Sequence, residues 1–301
     1  MFDAPGTAVL DCAGRALRLD RPRVMGILNV TPDSFSDGGR FASVEAAVEH
    51  GLDMVAEGAD LIDVGGESTR PGAEPVGVDE ELARVIPVIE ALARQVAVPV
   101  SVDTSRPEVM RAAVAAGAGM INDVQALLGE GALQTAADLA VPVVLMHMQG
   151  VPRDMQESPH YDDVVAEVHG FLAQRLFACE MAGIDRRRIV IDPGFGFGKT
   201  LAHNLALLAR LERFTDLGVP VLAGLSRKRS IGEMTGRQAP AERVHGSVAA
   251  ALIAAQRGAA ILRVHDVAAT VDALKVWNAV AAQPVPKAPT GPLSPRWPDE
   301  D

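Results

Sequence analysis

Apolar and polar positions fall in alternating blocks along this chain. Short runs rich in Val, Ile and Leu recur at about residues 24–29, 60–65, 98–103, 119–123, 142–147, 189–192, 219–225 and 260–264, the pattern of strands buried on both faces. The segments between these eight runs have helical periodicity. Ser43 stands where a cap would open one helix over 43–50, and Pro107 suits the first position of another over 108–116. Strand then helix, eight times, predicts an α/β protein built as a (β/α)8 TIM barrel. A doubly wound open sheet gives the same local signal. The barrel is favoured because polar clusters follow nearly every run, whereas an open sheet gathers its site near one switch point.

Two stretches lie outside this alternation. Ahead of the first barrel strand, Val9 to Leu17 reads as two short runs about the turn at Gly14, a hairpin that would plug the barrel floor. Residues 284–301 carry proline at 284, 286, 289, 292, 295 and 298 and end in acid, so they cannot build a packed core and should form a disordered tail. Residues 1–283 are therefore expected to form a single domain, and 284–301 a flexible appendage.

Composition narrows the ligand. The 301 residues carry a formal net charge of −11. That argues against nucleic acid or an anionic membrane as partner, because either needs a basic face. Any anionic ligand must then be held by a few local cations. Cys12 and Cys179 are the only cysteines and have no metal-ligand spacing, so they read as bystanders in a reducing, cytoplasmic protein. His147, His160, His169, His203 and His245 lie far apart without zinc-ligand spacing.

The chemistry sits in the clusters that close the apolar runs. They are Asn29-Val30-Thr31-Pro32-Asp33-Ser34-Phe35-Ser36-Asp37-Gly38-Gly39, Gly65-Gly66-Glu67-Ser68-Thr69-Arg70-Pro71-Gly72, Asp103-Thr104-Ser105, Asp192-Pro193-Gly194-Phe195-Gly196-Phe197, Ser226-Arg227-Lys228 and Arg263-Val264-His265. Asp103, Asn122 and Asp192 each end a run, and in a barrel they would make a polar floor. A carboxylate accepting two parallel N–H bonds suits a heterocycle with a guanidine-like edge, such as a pterin or a guanine. Arg263 and His265 leave one face of a strand, and with Arg70 they gather donors for a diphosphate. Asn29 and the oxygen-rich loop after it suit Mg²⁺, which keeps several waters and needs only one or two protein oxygens. Ser226 is placed to cap a helix whose N-terminus would meet a carboxylate, and Lys228 to reach a carbonyl or ring nitrogen. Lys199, Arg227 and Arg229 read as solvated. A phosphate loop at Gly194 to Thr200 fails on spacing, since its first glycine is one residue too close to the Gly-Lys-Thr.

Taken with residues 26–39, 63–72, 101–104, 121–123, 146–150, 192–199, 226–228 and 263–266, in that order, the chain resembles the dihydropteroate synthase family over about residues 23–282. The resemblance implies condensation of 6-hydroxymethyl-7,8-dihydropterin diphosphate with 4-aminobenzoate to give 7,8-dihydropteroate and diphosphate, in folate biosynthesis. It implies that Asp103, Asn122, Asp192 and Lys228 hold the pterin, with Met146 and Phe197 lining the pocket. It assigns Asn29, Arg70, Arg263 and His265 to the diphosphate and its Mg²⁺, and Thr69 to the same region. Phe35, Pro71 and Ser226 would meet 4-aminobenzoate, where sulfonamides would compete. A homodimer formed through wall helices is a further implication. Two rivals remain at this point: a non-catalytic pterin-binding paralogue, and a methyltetrahydrofolate-dependent methyltransferase, which would not need a diphosphate clamp.

Overall fold

The computed structural model describes residues 8–30, 39–67, 76–150 and 155–283, with only the backbone for 39–43. The N-terminal hairpin is present. Strands β1 (Val9–Cys12) and β2 (Arg15–Arg18) pair antiparallel with Cys12 opposite Arg15. The two residues between them, Ala13 and Gly14, have φ of 53° and 86°. Positive φ at both positions is what a tight hairpin turn of the primed kind requires. The Gly14 N–H also donates to Asp11 Oδ1 at 2.7 Å.

Eight parallel strands then close on themselves: β3 (Arg23–Asn29), β4 (Leu61–Gly65), β5 (Val100–Asp103), β6 (Met120–Asp123), β7 (Val143–Met146), β8 (Ile189–Asp192), β9 (Val221–Ala223) and β10 (Ala259–Val264). The last pairs with the first, Leu262 opposite Val24, so the open-sheet alternative is excluded. The surrounding helices are α1 (Gly39–Ala56), α2 (Val78–Gln95), α3 (Pro107–Ala115), α4 (Ala132–Leu139), α5 (Val164–Met181), α6 (Leu201–Ala209), α7 (Arg229–Thr235), α8 (Val244–Gln256) and α9 (Val267–Ala281). Pro107 opens α3 as the sequence predicts. Helix α1 begins at Gly39, so Ser43 lies within it rather than at the start that the sequence predicts.

Strand alternation divides the core into two shells. Outward residues such as Val24, Ile62, Val102, Ile121, Leu145 and Ile191 pack with the helices. Inward residues Met25, Leu61, Met120, Val144, Val190, Leu222 and Ile261 form a separate apolar layer, joined by Leu10, Cys12 and Leu17 of the hairpin. The hairpin is thus the floor plug the sequence suggests. Its burial pushes the Cys12 thiol up to about 12, with Asp11 adding to the shift, so that thiol stays protonated and inert. Residues 284–301 lie outside the described residues.

The plug approaches the barrel closely at Gly119, where a Cβ would lie 2.4 Å from the Cys12 carbonyl oxygen and 2.7 Å from its carbon. Both are backbone atoms and cannot rotate away. Gly119→Ala is therefore expected to destabilise the fold by about 2–3 kcal/mol, the upper part of the range for overpacking. Urea unfolding checks this, and an unchanged midpoint would mean that the hairpin is not seated there.

Candidate active site

Inward side chains two positions beyond the apolar layer are the polar ones. Leu61 is followed inward by Asp63, Met120 by Asn122, Val190 by Asp192 and Ile261 by Arg263. Because side chains repeat with period two, the same alternation that seals the floor lifts these groups into the mouth at the C-terminal ends of the strands. Asp63 is fully buried, and Asn122 and Asp192 are buried as well.

Arg263 joins the far sides of this layer. Its Nε donates to Asp63 Oδ2 at 2.6 Å and its Nη2 to Asp103 Oδ2 at 2.7 Å, linking β10 to β4 and β5 across β3. Asn122 Nδ2 donates to the same Asp63 oxygen at 2.9 Å. Burial pushes the Asp103 carboxyl up to about 7, opposed by Arg263 and reinforced by Asp63. Burial disfavours the Arg263 cation, but Asp63 and Asp103 outweigh it and raise its pKa. Sequence reasoning named Arg263, Asp103 and Asn122 but not Asp63. The signal for Asp63 was its position two residues beyond a floor residue in an otherwise apolar strand.

Across the mouth, the loop after β8 folds back on the end of β7. Gly194 has φ of 71°, and a Cβ on it would lie 1.8 Å from the His147 carbonyl oxygen, so only glycine fits. Its N–H donates to Asp192 Oδ1 at 2.7 Å. Lys228 Nζ donates to the Phe195 carbonyl and stands 4.5 Å over the Phe197 ring. Burial lowers the Lys228 pKa to about 8, with Asp192 pulling the other way. Burial likewise raises the Asp192 carboxyl, against the pull of Lys228. Met146, buried, ends β7 on the same inner face.

Lys199 is a correction. It reads as solvated in the sequence, yet only 3% of it is exposed. Its Nζ meets His147 Nδ1 at 2.9 Å, the Phe197 carbonyl at 2.9 Å and the His147 carbonyl at 3.4 Å. Burial pushes its pKa well down, against Asp192. Burial, then Lys199, takes His147 down to about 3, so this imidazole is neutral and accepts from the lysine. Three acceptors for one ammonium explain why so polar a group tolerates the interior.

Ser226 is a second correction. Helix α7 starts only at Arg229, after Lys228, and no side chain caps it. Ser226 Oγ instead accepts from the His265 N–H at 3.1 Å and meets His265 Nδ1 at 3.1 Å. Arg227, also expected in solvent, has φ of 57° and pairs with Asp266 at 2.5 Å, which fixes the turn between Ser226 and Lys228. Arg229 is exposed, as expected. Asn29 closes β3, is half-buried, and its Oδ1 lies 3.7 Å from where a Cβ on Gly65 would stand. Phe35, Thr69, Arg70 and Pro71 lie outside the described residues. At the neck of the second loop, Glu67 Oε1 accepts from the Val76 N–H at 3.4 Å while Arg106 bridges Glu67 and the buried Glu81, a set the sequence reading missed.

The arrangement offers acceptors and an amide on one side, an aromatic ring and a cation on the other, and an apolar base. It can grip a flat, nitrogen-rich heterocycle by its edge while a lysine meets the opposite edge. Comparison with known proteins points the same way. The pterin binding enzyme family model matches residues 25–265. A dihydropteroate synthase of Escherichia coli K12 is 55% identical over 266 residues, 88% of this chain and 94% of its own length. The dihydropteroate synthase of Xanthomonas albilineans, solved with 4-aminobenzoic acid, is 72% identical with a TM-score of 0.89, covering 93% of this chain and 100% of its own. Solved with 7,8-dihydropteroate, the Xanthomonas enzyme aligns at a TM-score of 0.85 and 70% identity, covering 92% and 100%. With this fold, this site and these relatives, the chain belongs to the pterin-binding enzymes and, within them, to the dihydropteroate synthase family.

Proposed function

We propose that this protein condenses 6-hydroxymethyl-7,8-dihydropterin diphosphate with 4-aminobenzoate, forming 7,8-dihydropteroate and releasing diphosphate. The observation that carries the reading is the inward polar layer of Asp103, Asn122, Asp192 and Arg263, faced by Lys228 and built directly on a sealed apolar floor. In this reading Asp192 accepts two N–H bonds from the guanidine-like edge of the pterin and Asn122 serves its mixed edge. Lys228 donates to the carbonyl or ring nitrogen, with Met146 and Phe197 against the ring face. Thr69, Arg70 and His265, with the Nη1 group that the two ion pairs leave to Arg263, serve the diphosphate. Phe35 and Pro71 close on 4-aminobenzoate near Ser226, the subsite for which sulfonamides compete.

Among the described residues no group of three or more His, Cys, Asp or Glu side chains could hold a metal. A single amide oxygen at Asn29 nevertheless fits Mg²⁺, which takes most of its ligands from water and phosphate. Asn29 would hold the ion, whose charge offsets that of the leaving diphosphate. The chain's own groups do the rest. Arg263, Arg70 and His265 stabilise charge as the C–O bond breaks, and the pterin ring delocalises the methylene cation. The neutral aryl amine then attacks and loses its proton, so orientation replaces an enzyme nucleophile.

The same reading makes residues 1–283 one domain with 284–301 appended, consistent with the hairpin sharing the barrel's inner core. It also takes the protein to be a homodimer of the cytoplasm, where two buried unpaired thiols suit a reducing compartment. Among the described residues no helix is long and apolar enough to cross a membrane.

The direct test is diphosphate release with Mg²⁺ and both substrates. Release that requires 4-aminobenzoate and matches dihydropteroate formed is the expected result. Pterin binding without release would instead mark a non-catalytic barrel. Lys228→Ala is expected to lower turnover by roughly 10²-fold while far-UV circular dichroism stays native, the scale of one lost electrostatic contact; near-normal turnover would remove Lys228 from the site.

A pH profile follows from the two shifted groups. Asp103 must be ionised to pair with Arg263 and keep both oxygens as acceptors, so kcat/KM should rise as pH passes about 7. Lys228 must be protonated to donate, so it should fall as pH passes about 8. A narrow bell between those limbs is expected for the pterin substrate. A flat profile from about pH 5 to about pH 10 would contradict the assignment of both groups.

A further inference from the structure

Asp63 is the least exposed charged side chain of the mouth, and nothing above gives it a role in the reaction. One of its oxygens, Oδ2, accepts from both Arg263 Nε and Asn122 Nδ2. Its Oδ1 is buried and has no hydrogen-bond partner among the described residues, and the same holds for the hydroxyl of Ser101, its register neighbour on β5. Both donors therefore hang on a single atom, and neither can turn without disturbing the other.

We propose that Asp63 is a positioning residue for the condensation, holding the Asn122 amide and the Arg263 guanidinium in one fixed relation so that Asn122 presents its carbonyl oxygen to the pterin. The chemistry of the partners supports this. Asp63 Oδ2, which accepts from the Arg263 guanidinium, also accepts from the Asn122 NH₂, and that sends the Asn122 oxygen the other way. Without that constraint the two ends of a primary amide differ little in shape, and either could face the ligand. The guanidinium is fixed by the same oxygen and by Asp103, two anchors that together set its plane. Asp63 thus selects which edge of a heterocycle Asn122 recognises, while remaining beneath the residues that touch it.

The inference rests on the synthase reading, and the experiment separates the two. Asp63→Asn keeps the shape but offers an amide that can both donate and accept, so the Asn122 amide is free to flip. Steady-state kinetics of the variant should show KM for the pterin diphosphate raised roughly tenfold or more, and KM for 4-aminobenzoate changed by no more than about twofold. Because Asp63 acts in part through Asn122, adding Asp63→Asn to Asn122→Ala should cost clearly less than the product of the two single effects. Equal rises in both KM values, or effects that simply multiply in the double variant, would overturn the proposal and leave Asp63 a structural residue. Wild-type protein that makes no dihydropteroate would instead sink the functional reading itself. Should Asp63→Asn fail to fold, neutron diffraction from crystals of the unaltered protein with the pterin substrate decides: deuterium on the Asn122 nitrogen facing Asp63 is expected, and the reversed amide would refute the proposal.

Discussion

A single guanidinium shared by two carboxylates organises the mouth of this barrel. Arg263 comes from the last strand and reaches Asp63 and Asp103, which stand 200 and 160 residues away along the chain. Burying a cation is costly unless it is paired, and here the pairing comes from the fully buried Asp63 and the half-buried Asp103. Removing one member of such a set leaves an uncompensated charge, a loss of about 3–5 kcal/mol in comparable cases. The network is therefore both a structural tie across the barrel and the frame on which ligand-facing groups hang. In the proposed reading Asp103 faces the pterin and Asn122 is steered by Asp63, while Arg263 keeps an arm of its fork beyond the two ion pairs.

The second half of the site is balanced differently. Asp192 feels two lysines, Lys228 on the ligand side and Lys199 behind it. Lys199 ties the loop after β8 to the end of β7 through two backbone carbonyls and a neutral imidazole. Phe197 and the Lys228 stem are in this way brought against each other over the apolar base. Charge within the mouth is nearly compensated by its own members. A chain with net charge −11 can thus offer an anionic substrate a local site without a basic surface.

Much of this was legible in the sequence, for reasons that particular residues make plain. The eight apolar runs matched the strands because residues buried on both faces leave no polar interruption except where a functional group must point inward. Asp103, Asn122 and Asp192 stood out because each closes such a run. Asp63 was hidden because it sits within a run, one residue before Val64, where a single acid looks like a blemish on a strand. Lys199 was hidden for another reason. Nothing local distinguishes a solvated lysine from one whose loop folds back onto a strand end, and only the closed barrel brings His147 to it. Ser226 shows a third limit: a serine before a helix reads as a cap, but the turn at Arg227 carries it to His265 instead.

Polar groups raised two positions above a plugged floor are, on this account, what recognises the pterin. A crystal structure with 6-hydroxymethyl-7,8-dihydropterin diphosphate bound would test that claim most directly. The account predicts the ring between Met146 and the Lys228 stem, its amino edge on Asp192 and Asn122, with the Arg263 ion pairs to Asp63 and Asp103 intact. A ring bound outside the strand ends, or an Arg263 that has left both carboxylates to reach the ligand, would contradict it.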